Sequence, residues 1–466
     1  MTFLSPSFMF VFLPVALGIY ALLPGHKKAD FLPIMGAVFF VCVNINDPFA
    51  IGYIVMVALA VVGAVWFYKK TRKRSYLYVC SAVCFVVAAI ILKMRIGSSF
   101  SMIRCRGIIM CLMAAISLCL DISRGEGRVP SLWSGLSYVT YFPVILAGPF
   151  VSYSDFISRL DKLQVGVSSF SKGAILFLKG FIKAVLIGSV LSGVFTSVLS
   201  FGRDSIGVFF AILLAALQSL SLYAFFSGYS DIARGISCMM GIELDRDMGD
   251  PFANSTPTAY LRGFFKGFSV FFRKYITNSV IGVMGENLLS RGISAALSAM
   301  FLLLLFCQNL ESLLVLIPFA MVAEYFVLFV RPPKNQSSLV KRIFGAVCTF
   351  FVMSLAWAVV SSNGVSDMVD FCRSILTNPV FYISHSTADE LLNLKFIVLP
   401  VFGAVCAQAA EYIFEKWDDN GENKKGYTFF KCITAAGLLI AFCIGVVLLL
   451  PQFPGLSSDV FGANFI

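Results

Sequence analysis

Between Tyr223 and Tyr275 the chain sets a dense polar block, YAFFSGYSDIARGISCMMGIELDRDMGDPFANSTPTAYLRGFFKGFSVFFRKY, inside an otherwise apolar sequence. Ser227, Gly228, Tyr229 and Asp231 lie near its start, and Arg262, Lys266 and Arg273 toward its end. Gly228 permits close backbone approach. Tyr229 carries a hydroxyl at the tip of an apolar ring. Arg262 and Arg273, eleven positions apart, fall on one face of a continuous helix. A basic face of that kind suits a phosphate-bearing donor. The same residues suit the plainer task of tying helices together, with Asp231 capping a helix end or pairing with Arg234. Polar groups at membrane depth are costly unless they line a cavity or pair within the protein. The block is therefore the first place to look for a site.

The elements that must position it follow from composition. The 466 residues are 59% hydrophobic and 13% charged, with a mean hydropathy of +0.87. So little polar material does not cover a soluble domain of this size. The apolar runs are continuous rather than alternating, which excludes a β-barrel. The chain reads as an all-α polytopic membrane protein.

The net charge of +11 sits in short loops, at His26-Lys27-Lys28, Lys69 to Arg74, Arg331 to Arg342 and Lys424-Lys425. That is the pattern of cytoplasmic loops, not of a basic face interleaved with stacking aromatics, so no nucleic-acid partner is expected. Thirteen cysteines are scattered without a CxxC, and the two histidines, His26 and His385, have no cysteine near them in sequence. No metal site is expected, and the cysteines read as small apolar residues.

Candidate spans fall at about 8–24, 31–45, 50–68, 76–93, 103–120, 174–200, 206–226, 295–329, 343–361, 396–414 and 431–450. The first lacks a basic leader and a small-residue cleavage site, so it is expected to be retained. The stretch 135–156 is apolar but broken by Pro143, Gly148 and Pro149, and is expected to be re-entrant. Loop charge places the loops near 27, 70, 335 and 424 in the cytoplasm, and the loop near 46, the segment 362–395 and the N-terminus outside. Lys93, Arg95, Arg104 and Arg106 run against this scheme. No internal repeat and no linker are visible, so residues 1–466 are expected to form one membrane domain, with 223–285 lining a polar funnel.

Several motifs resemble the membrane-bound O-acyltransferase family, in its bacterial alginate O-acetylation and D-alanyl transfer branch. They are Tyr141-Phe142-Pro143, Ala147-Gly148-Pro149, Tyr153-Ser154-Asp155-Phe156, Phe226-Ser227-Gly228-Tyr229-Ser230-Asp231, Asp250-Pro251-Phe252, Leu261-Arg262 and Phe272-Arg273-Lys274-Tyr275. Leu120-Asp121-Ile122-Ser123-Arg124-Gly125 looks like a further family turn. The resemblance implies a ring of roughly 10–12 tilted helices with re-entrant segments around a thinned central floor, in a bacterial inner membrane. It implies transfer of an acyl group, acetyl in the first instance, from acyl-CoA or an acyl carrier to a hydroxyl of an exported cell-surface polysaccharide. No bound cofactor is implied. An exported acetyltransferase or a glycan-synthesis protein is the implied partner.

The chain departs from the family where the chemistry is expected. Aligned on the family motifs, the first family histidine falls on Phe265 and the second, the presumed catalytic one, on Gln308. There is no histidine between His26 and His385 to take either place. A positioned base is worth typically ~10²–10⁴ in rate; Gln orients or hydrogen-bonds but does not accept the proton. Lys266 is a substitute base if burial lowers its pKa, and a snorkelling lysine otherwise. Glu311, one turn from Gln308, faces the same cavity or pairs with Arg262 or Arg273. The competing expectation is a catalytically silent relative that binds a lipid, glycan or partner protein.

Overall fold

The computed structural model describes residues 3–45, 48–96, 107–146, 148–163, 165–193, 207–285 and 339–360, with a few isolated positions besides. Among these residues the secondary structure is helical and no strand occurs. Gln308, Glu311, His385, the segment 362–395 and the spans expected at 295–329, 396–414 and 431–450 lie outside the described residues.

The helices are α1 (Phe8–Leu22), α2 (Gly25–Val43), α3 (Pro48–Thr71), α4 (Ser75–Ile96) and α5 (Ile108–Arg124). Three short helices follow, α6 (Leu132–Val139), α7 (Phe142–Ile145) and α8 (Tyr153–Leu160). Then come α9 (Val167–Gly193), α10 (Val208–Met239), α11 (Pro257–Phe264), α12 (Lys266–Phe271) and α13 (Leu339–Val360). α12 runs on through a wider-turned stretch, Phe272–Thr277, into Asn278–Met284. Ile51–Thr71, Val167–Gly193 and Val208–Met239 are long and apolar enough to cross a membrane.

The expected re-entrant stretch is three short helices rather than one span. Ser131 and Ser152 cap α6 and α8 through their side chains. Pro143 sits in the first turn of α7, where its missing N–H costs nothing. At Gly148 a side chain would meet the Val144 and Pro143 backbone at 2.6 and 2.9 Å, so only glycine fits the reversal.

Two expectations change. The span expected to end at 226 continues to Met239, so FSGYSDIARGISCM extends the same helix. The stretch offers no proline to stop it, and the first αL glycine comes only at Gly241. Arg262 and Arg273 do not share a helix face. Phe265 takes a non-helical φ of −127° and ψ of 61°, which separates α11 from α12 and spoils the register between the two arginines.

Candidate functional site

The first half of the polar block is a helix–helix seam. α9 and α10 lie along one another with glycines facing at two levels. A side chain at Gly228 would meet Gly180 O at 2.6 Å and Ala184 N at 2.7 Å; one at Gly235 would meet Phe177 N at 2.6 Å and Gly173 O at 2.7 Å. Backbones therefore touch, as small residues allow between membrane helices. Beside the seam Lys183 Nζ donates to Asp231 Oδ2 at 2.7 Å, and Arg234 Nη1 to Asp231 Oδ1 at 3.0 Å. Arg234 Nε also donates to Leu244 O at 3.2 Å, anchoring the connection after α10. Ser227 and Tyr229 are buried in the same helix, Tyr229 with its ring 4.7 Å from that of Phe225. Asp231 is thus held by two cations.

A second buried network fixes the broken stretch. Asp121 on α5 is fully buried and accepts from Lys274 Nζ at 3.0 Å, from Tyr275 Oη at 2.8 Å and from the Ser154 amide at 3.0 Å. Ser117 shares a 2.7 Å hydrogen bond with Tyr275 and accepts from the Tyr153 amide. Lys274 also pairs with Glu126 at 2.8 Å, and Arg124 donates to Lys274 O and Ser279 Oγ. The start of α8, the end of α5 and the middle of the α12 run are therefore one polar unit. Both carboxylate oxygens of Asp121 are met by donors, the condition for keeping a charge out of water.

The third locality holds Phe265. Its ring is buried among aromatics, 4.7 Å from Phe264, 5.9 Å from Phe226 and 6.0 Å from Trp357 between centroids. Lys266 is exposed rather than buried beside it, so nothing in its surroundings supplies the desolvation a lysine base needs. The next residue, Gly267, marks a close approach: a side chain there would meet Asp247 Oδ1 at 1.9 Å and Phe150 N at 3.1 Å. Asp247 lies in the connection between α10 and α11, outside the spans. It is buried, and its Oδ1 has no hydrogen-bond partner among the described residues. Burial pushes its carboxyl up to about 7. The nearby Gly267 amide and the charges on Lys266 and Arg234 oppose that shift without closing a bond to Oδ1.

A cleft lies where α8, the start of α9 and the connection after α10 meet. Its volume is about 730 Å³, and Arg159, Lys162, Lys172, Ser169 and Glu243 help to line it. Lys162 and Lys172 are exposed, while Arg159 is engaged by Glu243 O and the Asp245 carboxylate. Cleft and cations together suit a phosphorylated ligand.

Of the residues singled out in the sequence, the structure gathers Ser227, Gly228, Tyr229 and Asp231 on α10. It leaves Arg262, Lys266 and Arg273 exposed elsewhere. No cluster of three or more metal-ligating side chains occurs among the described residues. Sequence reasoning missed Lys183, Asp247 and the basic cleft. Lys183 was findable as a lone charge in the apolar run GFIKAVLIG. Asp247 was not, because in sequence it is one of four acidic residues between Glu243 and Asp250.

Buried, fully paired charges between long apolar helices, with short broken helices wedged beside them, define an integral membrane protein of the all-α class with a polar interior. The chain belongs to the membrane-bound O-acyltransferase (MBOAT) family, whose sequence model matches residues 49–357. It is 26% identical over 289 residues to a probable alginate O-acetylase AlgI of Pseudomonas fluorescens, covering 59% of this chain and 56% of that one. It is 28% identical over 174 residues to the protein of the same name from Pseudomonas aeruginosa, covering 37% and 33%. A teichoic acid D-alanyltransferase of Lacticaseibacillus rhamnosus is 24% identical over 287 residues, 57% of this chain and 69% of that one. The aligned part thus spans between a third and just over half the length of these two alginate relatives.

Proposed function

We propose that the protein transfers a short acyl group, acetyl in the first instance, from a thioester donor to a hydroxyl of an exported cell-surface polysaccharide. The observation that carries this reading is the family match over residues 49–357, joined to relatives named as an alginate O-acetylase and a teichoic acid D-alanyltransferase. The donor is acyl-CoA or an acyl carrier, and its phosphates sit in the cleft lined by Arg159, Lys162 and Lys172. That cleft would face the cytoplasmic side of a bacterial inner membrane, where such a donor is found; loop charge supports an N-terminus outside, with the helices crossing several times. An exported acetyltransferase or glycan-synthesis protein receives or completes the modification.

The chemistry asked of the fold is positioning plus proton transfer. Holding donor carbonyl and acceptor hydroxyl in one orientation supplies much of the rate by itself. Non-helical backbone inside an apolar protein, as at 148–152, is tolerated where it lines a cavity or is buried in protein.

The aromatic packing of Phe265 favours a second reading, a catalytically silent relative that binds lipid, glycan or a partner protein. The two separate in one experiment. Membranes carrying the protein are given labelled acetyl-CoA and cell-surface polysaccharide, and ester label on the glycan is counted. Transfer above that of membranes lacking the protein supports the enzyme, and its absence leaves the silent relative standing. Substituting Lys162→Glu with Lys172→Glu is expected to raise the KM for acetyl-CoA about tenfold or more with little change in kcat, the pattern of lost ground-state binding.

A further inference from the structure

We propose that Asp247 is the proton acceptor of this site, standing in for the imidazoles the chain lacks. The inference rests on the acyl-transfer reading above and assigns that reaction its base.

The argument begins with what a base must be. It must be shielded from water, able to change protonation near neutral pH, and not already neutralised by a cation. Three carboxylates are buried among the described residues, Asp121, Asp231 and Asp247. Asp121 is held by Lys274, Tyr275 and the Ser154 amide, and Asp231 by Lys183 and Arg234. An anion gripped by a lysine and by further donors is a poor proton acceptor, because each donor stabilises the charged form. Asp247 differs. No cation lies within ion-pair distance of it among the described residues, and its Oδ1 is without a hydrogen-bond partner. A buried polar atom left without a partner calls for an explanation.

Its location supplies one. Oδ1 lies against the first turn of α12, so close to Gly267 that any side chain there would strike it. The Phe150 amide of the broken stretch comes to the same point. Gly267 is two residues from Phe265, the position where the family resemblance places an imidazole. The carboxylate therefore meets α12 two residues along the chain from the position the resemblance gives an imidazole, and is brought there from a different segment. Its carboxyl titrates near neutrality, pushed up by burial and opposed by Gly267, Lys266 on α12 and Arg234 on α10; Arg246, in its own segment, lies 4.0 Å from Asp250 instead. A carboxyl raised in this direction by burial moves toward the range in which a general base works best.

The step balances without a further reactant. The acceptor hydroxyl gives its proton to Asp247 Oδ1 while its oxygen bonds to the acyl carbonyl carbon. The carbon–sulfur bond of the thioester then breaks, and the departing thiolate takes the proton back from Asp247. Alcohol and thioester become ester and thiol.

The test uses the full-length protein in native membranes, labelled acetyl-CoA and cell-surface polysaccharide. Wild type, Asp247→Asn and Asp247→Glu are compared from pH 5 to pH 9, with folded fraction checked in mild detergent. Asp247→Asn is expected to lower kcat ~10²–10⁴-fold, leave the KM for acetyl-CoA unchanged, and abolish the rise of rate with pH near 7. Asp247→Glu is expected to keep that rise, shifted. An Asp247→Asn protein that folds and turns over within threefold of wild type overturns the proposal while leaving the acyl-transfer reading intact. So does a wild-type profile flat across neutrality, even if the Asn variant does not fold. Wild-type membranes that transfer nothing overturn both.

Discussion

Lys183→Met should destabilise the protein more than Lys183→Met and Asp231→Asn together. Lys183 Nζ lies 2.7 Å from Asp231 Oδ2, and both side chains are about 8% exposed. At an effective dielectric near 20 the gross attraction at that distance is ~6 kcal/mol. Desolvation of the two ions offsets most of it, so the intact pair contributes little net stability. Removing one partner is different, because the remaining charge stays buried at a cost of ~3–5 kcal/mol. Here the lower end applies, since Arg234 Nη1 still reaches Asp231 Oδ1 at 3.0 Å. Neutralising Asp231 as well removes the stranded charge. Arg234, about 20% exposed, keeps its bond to Leu244 O and meets solvent with the rest of its side chain. The double variant should therefore cost ~1 kcal/mol, against ~3 kcal/mol for Lys183→Met alone. The assay is reversible unfolding in mixed micelles, run as a double-mutant cycle with exposed Lys162→Met as a control expected within ~0.5 kcal/mol of wild type. Additive single effects, or a Lys183→Met protein no weaker than the Lys162→Met control, would refute the reasoning.

Two further outcomes follow from the same geometry. Gly228→Leu should abolish recovery of folded protein from detergent, because Gly180 O and Ala184 N lie 2.6 and 2.7 Å from the position of its Cβ and are backbone atoms that cannot rotate away; gel filtration reads this, with Gly18→Leu, which meets nothing within 4 Å, as the control. Asp247 makes stability fall with rising pH. Its folded carboxyl sits at about 7 against an ordinary 3.8, so between those values the folded chain binds more protons than the unfolded one, and stability drops as pH climbs through that window and levels off above it. Asp247→Asn should remove up to on the order of 4 kcal/mol of that slope, read as unfolding midpoints at pH 4.5 and pH 8.

The helices of the first half were legible because length and apolar content decide them. α2, α3 and α4 begin and end within six residues of the expected spans, at loops marked by charge or proline. The broken stretch was legible from Pro143 and Gly148, which have one conformational meaning each. For the FSGYSD segment the sequence left two readings open, cavity wall and helix–helix seam, and the structure shows Gly228 in the seam. In sequence, Gly228 next to Ser227 and Tyr229 looks like a cavity wall. Only the facing glycines of α9, seven residues apart like those of α10, show that the small residue serves contact. Gly173 and Gly180 are plain in the sequence, but nothing there says which helix they meet. The break at Phe265 was hidden as well. The residue has no special backbone freedom, and the break comes from packing its ring among Phe226, Phe264 and Trp357.

The same break bears on the imidazole that the family resemblance places at position 265. A buried histidine requires a polar partner for each ring nitrogen. The surroundings of Phe265 are aromatic, with Phe226, Phe264 and Trp357 about its ring. A bare His at 265 would leave ring nitrogens unsatisfied in a mostly hydrocarbon environment, at ~1–3 kcal/mol for each. Restoring the residue alone should therefore fail to restore the family's chemistry. The polar group in this neighbourhood sits on the other side of Gly267, where the chain has kept room for a carboxylate by admitting no side chain at all.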